Sequence, residues 1–238
     1  MKDIARKVST IFVLWLSLDP TPRLEKLEPG LYWLDDEERA TYERYRVDFK
    51  KVEFLAGRIL SKSAIGQFLN VSPRHVRFTK NAYGKPVLDG CSKPLYFNLS
   101  HTHGMVTCAL SRYGEVGVDV ERVNQEAFAI IPYMFVPEEI NAINTQPGRN
   151  AQLQALYTLW TRKEAVMKAV GQGFFLAPLS FSVPLNETRV RDGQFNYYTF
   201  APHTNYILSV ACRRQSTPVR WAVSKLEITH LFDEDWGL

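Results

Sequence analysis

The sequence predicts an α+β fold built as a pseudo-dimer of two similar halves, residues 1–112 and 113–238, each with an antiparallel sheet packed on a long helix. Two observations carry this. A stretch dense in helix formers followed by alternating, strand-like runs occurs once on each side of the middle of the chain. The two passages also share a constant offset. Lys62-Ser63-Ala64-Ile65 falls on Lys163-Glu164-Ala165-Val166, and "GMVTCALSR" on "NYILSVACR", with 163 − 62 = 101 and 213 − 112 = 101. Two such halves leave a cleft between them, a natural place for a site.

The elements follow in order. "KVSTIFVLWLSLD" sets a basic start before an apolar run from Ile11 to Leu18. It lacks a small-x-small cleavage site and holds Trp15 and β-branched residues, so it reads as an N-terminal strand rather than a targeting segment, and the protein is expected in the cytoplasm. Asp35, Asp36, Glu37 and Glu38 favour a helix start, and Val52, Leu55, Ile59, Phe68 and Leu69 fit an apolar stripe, which predicts two helices broken near Val47. Turn chemistry marks Tyr83-Gly84-Lys85-Pro86. "PLYFNLSH", "GMVTCALS" and "VGVDVE" then read as an antiparallel meander, the last two strands joined around Tyr113-Gly114. The second half predicts a helix from about Leu153 to Val170, then strands at "LSFSV", "FNYYTF", "YILSVAC" and "WAVSKLEI".

The 238 residues, 45% of them hydrophobic, are those of a globular chain with no stretch apolar enough to span a bilayer. Cys91, Cys108 and Cys212 lie far apart without CxxC spacing, which argues for buried thiols over a disulfide framework or a zinc site. A formal charge of +4 does not call for nucleic acid, but it suits an anionic ligand or an acidic protein partner.

Four stretches carry chemistry. In "VGVDVER", Asp119 and Glu121 share one strand face while Val118 and Val120 fill the other. Carboxylates so close resist ionising together unless a cation sits between them, and oxygen pairs suit a hard ion such as Mg²⁺; alone, the pattern reads rather as a solvent-facing strand side with Arg122 as counter-charge. In "LWTRKEAVMKAVGQGF", Trp160, Glu164 and Lys168 follow one another at helical turns, also the signature of an ordinary amphipathic helix ending at Gly171. "FNLSHTHGM" offers Ser100, His101, Thr102 and His103 as phosphate donors, or a plain polar loop. "YGKP" presents Lys85 on a turn.

Together and in this order, "YGKP", "FNLSH", "GVDVE" and "WTRKEAVMKAVGQG" resemble the motif set of the phosphopantetheinyl transferases of the surfactin-synthetase type, over essentially the whole chain. That resemblance implies a pseudo-dimeric, monomeric enzyme that moves the 4′-phosphopantetheine arm of coenzyme A to a serine of an apo acyl or peptidyl carrier protein. The carriers would be those of fatty-acid, polyketide or nonribosomal-peptide synthesis. It implies Mg²⁺ held by Asp119, Glu121 and Glu164, coenzyme A bound by Lys85, Ser100, His101 and Lys168, and catalysis by Glu139, Lys168 and Glu164. Glu139 of "MFVPEEI" aligns with the family's proposed base, and Glu138 is its rival. The first half would contact the nucleotide, and the second would supply the metal strand and helix. For the 3′-phosphate the first helix offers only Arg39 and Arg44, and Lys50, Lys51 and Arg58 of the second have no clean match. The apolar "FAIIPYMF" either packs into the core or offers a surface to the carrier. Two other classes stand beside this reading: a non-catalytic coenzyme A or carrier-protein binder of the same fold, and an anion- or nucleic-acid-binding module, which would show weak, salt-sensitive binding.

Overall fold

The computed structural model describes residues 8–91, 94–172, 175–213, 216–233 and 236. The chain opens with strand β1 (Ser9–Ser17), helices α1 (Asp36–Arg44) and α2 (Asp48–Leu69), a short hairpin of β2 (Phe78–Lys80) and β3 (Pro86–Leu88), then β4 (Tyr96–Thr102) and β5 (Met105–Ser111). Strand β6 (Val116–Arg122), helices α3 (Ile131–Met134), α4 (Pro137–Asn144) and α5 (Gly148–Val170), and strands β7 (Arg189–Asp192), β8 (Phe195–Phe200), β9 (Tyr206–Arg213) and β10 (Val219–Leu226) complete it.

Two four-stranded sheets result, ordered β10-β1-β5-β4 and β6-β9-β8-β7. Alternation along β1 shows how they are covered. Leu14, Leu16 and Leu18 join Val52, Leu55 and Ile59 of α2 in one core, while Ile11, Val13 and Trp15 meet Val118, Val120 and Leu208 in a second core between the sheets. A third core lies under α5, around Leu153, Leu156 and Leu159. Each sheet is therefore buried on both faces, and each half rests on one long helix, as predicted.

The duplication is visible in three dimensions. Strand β5 pairs antiparallel with both β1 and β4, and β9 does the same with β6 and β8. The offset of the sequence recurs in buried chemistry. Glu38 caps α1 by accepting from the Asp35 N–H and is met by Lys62 Nζ at 2.7 Å; Glu139 caps α4 by accepting from the Val136 N–H and is met by Lys163 Nζ at 2.9 Å. Both lysines are 0% exposed. Lys62 also donates to the Trp33 and Val76 carbonyls, and Lys163 to those of Pro178 and Phe181. Each long helix then ends on a left-handed residue, Asn70 in one half and Gly171 in the other.

Three expectations are corrected. The meander does not form: β6 leaves the first sheet after residues 112–115 and opens the second, pairing with β9 as β1 pairs with β5. A short connection permits pairing but does not compel it. "LSFSV" is not a strand. A 3₁₀ turn at Pro178–Ser180 leads into extended backbone whose polar groups are taken by side chains, Phe181 O by Lys163 and Val183 N–H by Glu139. "WAVSKLEI" does form β10, but it pairs parallel with β1, so the end of the chain adds a strand to the sheet of the first half. "FAIIPYMF" divides between the two: Met134 and Phe135 are buried and Phe128, Ile130 and Ile131 pack half-buried against the core under α5, while Tyr133 stays 75% exposed.

Candidate active site at the seam between the halves

Strands β4 and β6 are the facing edges of the two sheets, and side chains rather than a backbone ladder join them. Asn98 Oδ1 accepts from the Val118 N–H at 2.8 Å, Ser100 Oγ donates to Asp119 Oδ1 at 2.9 Å, and Thr102 Oγ1 donates to Glu121 Oε2 at 3.3 Å. Alternation places Asn98, Ser100 and Thr102 on one side of β4 and Asp119 and Glu121 on one side of β6, so the seam becomes polar where it opens. Sequence reasoning missed Asn98, and it took Thr102 for a phosphate donor rather than a partner of Glu121. The same period-2 pattern in "FNLSHT" is the signal that reveals both.

Helix α5 closes the site from above β6. Between residues 160 and 169 only Trp160, Glu164 and Lys168 are not buried, so the predicted stripe is the one open face of this stretch. Lys168 Nζ lies 2.6 Å from Asp119 Oδ1 and 2.9 Å from Ser100 Oγ. The close approach of strand and helix depends on Gly117, where a Cβ would lie 2.0 Å from Ala165 O and 2.4 Å from Ala169 N. Gly117→Ala must part β6 from α5. It is expected to cost about 1–3 kcal/mol, read by urea unfolding; stability equal to wild type would show that the helix yields freely.

The acids press on one another. Burial, and then Asp119, raise Glu121 from 4.5 to about 7 against the opposing pull of Lys168 and Thr102, and burial and Asp119 also raise Glu164. Asp119 Oδ2 is sealed from solvent without a hydrogen-bond partner. Among the described residues no three His, Cys, Asp or Glu side chains stand close enough to enclose a metal ion. The donors are nevertheless all hard oxygens, with one buried oxygen unsatisfied and an excess of negative charge, which suits a hard divalent cation.

An acid with a folded pKa above its unfolded one holds its proton more tightly when folded. The contribution of Glu121 to the stability of the metal-free protein is thus complete below 4.5 and lost as pH rises through about 7. Glu121→Gln is expected to flatten the decline in unfolding free energy across that window, and an unchanged slope would assign the decline elsewhere.

The other candidates divide. Lys85 reaches the cleft from the β2–β3 turn. Its Nζ donates to Ala169 O at 3.0 Å, Asn81 Nδ2 donates to Gly171 O, and burial lowers the lysine to about 8. A cavity of about 310 Å³ lies beside it, lined in part by Tyr83, Lys85, Asn98, Glu164, Met167 and Lys168. His101 stands half exposed at the end of β4. Glu139 does not fit the role of base. It is 3% exposed, and its carboxylate is held by Lys163 and by the N–H groups of Val136 and Val183. Glu138, its neighbour, is exposed. Arg39, Arg44 and Arg58 are engaged locally: Arg39 and Arg44 donate to the Leu31 and Ala40 carbonyls, and Arg58 meets Glu38. Cys108 and Cys212 are buried, and burial pushes both thiols up to about 12.

The 101-residue offset carries Glu164, Lys168 and Gly171 onto Ser63, Gln67 and Asn70. These three line a second cavity of about 420 Å³ at the end of α2. Leu231 and Trp236 are tied to it: Ser63 Oγ donates to Leu231 O and the Trp236 N–H donates to Gln67 Oε1.

Comparison with known proteins fits this two-part geometry. The family model of the 4′-phosphopantetheinyl transferase superfamily matches residues 115–212, and that described as 4′-phosphopantetheinyl transferase, N-terminal, matches residues 20–112. The 4′-phosphopantetheinyl transferase HetI of Nostoc sp. is 31% identical over 67% of this chain and 68% of its own length. This chain belongs to the 4′-phosphopantetheinyl transferase family. Its relative gsp of Aneurinibacillus migulanus is 33% identical over 57% of this chain, which spans 55% of gsp, and Sfp of Bacillus subtilis is 28% identical over 71% of this chain and 73% of its own. The boundary between the two matched regions falls in the connection from β5 to β6, so the transferase family divides where the chain passes from one sheet to the other.

Proposed function

We propose that this chain transfers the 4′-phosphopantetheine arm of coenzyme A to a serine hydroxyl of an apo carrier protein. The serine oxygen forms a bond to the pyrophosphate phosphorus that bears the pantetheine arm, the bridging P–O bond breaks, and adenosine 3′,5′-bisphosphate leaves. The observation that carries this reading is the unsatisfied, buried Asp119 oxygen at the seam, ringed by Glu121, Glu164, Ser100 and Lys168.

Asp119, Glu121 and Glu164 would hold Mg²⁺, which supplies neutralisation of the pyrophosphate charge. Lys168 and Ser100, already on Asp119, would bind phosphate oxygens, with His101 beside them, and Lys85 would lie against the nucleotide. With Glu139 sealed in the fold, the serine proton falls to Glu164, on the open face of α5. A single chain supplies both sides of the cleft, which supports a monomer. We place the reaction in the cytoplasm, where coenzyme A is available.

Mass spectrometry of several apo-carriers incubated with the protein, coenzyme A and Mg²⁺ tests this. A gain of one phosphopantetheine arm is expected on at least one. Coenzyme A binding with no gain on any carrier would favour the non-catalytic binder.

A further inference from the structure

Helix α2 buries a carboxylate that lacks its full set of partners. Glu53 is 2% exposed. Its Oε2 accepts from Lys50 Nζ at 2.8 Å, while Oε1 is sealed from solvent with no hydrogen-bond partner. An orphaned buried oxygen is costly and calls for a reason. Two half-exposed imidazoles face it from β4 and the turn that follows: His101 Nδ1 lies 3.8 Å from Oε2, and His103 Nδ1 lies 3.9 Å from Oε1. Each ring turns Nδ1 toward the carboxylate, so the opposite nitrogen, Nε2, is directed away from it. The ring of Phe49 packs edge-on against His103 with centroids 5.3 Å apart.

We propose that Glu53 is a positioning residue, which holds the imidazoles of His101 and His103 with Nε2 presented to the phosphates of coenzyme A. This rests on the coenzyme reading of the cleft. At 3.8 and 3.9 Å the rings stand just beyond hydrogen-bond range of the carboxylate. A phosphate accepts from Nε2–H, and the two anions on either side of the ring together favour the imidazolium, whose Nδ1–H then donates to Glu53. Oε1 gains its missing donor when the ligand arrives. A carboxylate behind an imidazole fixes the ring orientation and strengthens what the far nitrogen does, as outer-shell carboxylates do for metal-bound histidines. The charged groups around His101 are Glu53 and Lys50 from α2, Lys168 from α5 and Asp119 from β6, so the phosphates would meet cations on both sides of the seam.

Calorimetry of coenzyme A binding to the wild-type protein comes first, because its failure removes the coenzyme reading rather than the role of Glu53. Given binding and transfer, Glu53→Gln is expected to raise KM for coenzyme A about tenfold, with kcat within about twofold of wild type. In a His101→Ala/His103→Ala background the same substitution is expected to add nothing, since its effect passes through the rings. An unchanged KM, or an equal effect with both histidines gone, overturns the proposal. Should Glu53→Gln fail to fold, the half-exposed His103 carries the test: His103→Gln is expected to raise KM several-fold, and an unchanged KM overturns the assignment.

Discussion

Asp119→Ala and Glu164→Ala are each expected to lower transfer to a carrier protein by about 10²-fold or more at low Mg²⁺, through loss of charge stabilisation in the transition state. Asp119 is the more exposed to this test because it is the hub of the seam: Ser100 and Lys168 both bond its Oδ1, and its Oδ2 awaits a partner. Its removal leaves Lys168 without its carboxylate. Excess Mg²⁺ is expected to recover part of the activity of Glu121→Ala, because water replaces a single oxygen ligand readily. Near wild-type turnover of Asp119→Ala or Glu164→Ala would refute the metal assignment.

The second large effect falls on stability. Lys163→Met is expected to cost about 3–5 kcal/mol, since it strands the buried Glu139 charge with only two backbone N–H groups for company. That is a large share of the stability of an ordinary domain. Lys62→Met is expected to cost less, because Arg58 still meets Glu38. Glu139→Gln should lose stability while the protein that remains folded keeps its kcat. Urea unfolding monitored by Trp fluorescence decides between the two roles of Glu139. A Lys163→Met variant within about 1 kcal/mol of wild type would remove the structural reading.

Much of the fold, and the placing of several side chains at the candidate site, are legible in the sequence, for different reasons. The alternation in "VGVDVER" places Asp119 and Glu121 on one face because a strand has a period of two whatever it pairs with. For the same reason it is silent on the partner, and β6 joined β9 instead of β5. The helical spacing of Trp160, Glu164 and Lys168 is similarly local and holds. Glu139 marks where local reading stops. A glutamate in the first turn of a helix looks the same whether it faces solvent, a substrate or a buried lysine, and what distinguishes these is Lys163, on another helix. The offset that aligned Lys62 with Lys163 also carries Glu38 onto Glu139, so the symmetry of the sequence held the clue that motif alignment did not. Strand β7, four residues with little burial, offers no alternation to detect.

The two cavities at the ends of α2 and α5 give the duplication a further meaning. A doubled chain begins with two equivalent clefts, and equivalent copies are free to diverge once one of them suffices. The cleft at α5 holds Glu164 and Lys168. In the copy at α2, Ser63 and Gln67 stand in their places and hold Leu231 and Trp236. The symmetry is broken by division of labour: one cleft carries charges suited to a ligand, and its twin is occupied by contacts to Leu231 and Trp236. Charge-changing substitutions should be poorly tolerated in the first cleft for reasons of chemistry, and in the second only where they break those contacts.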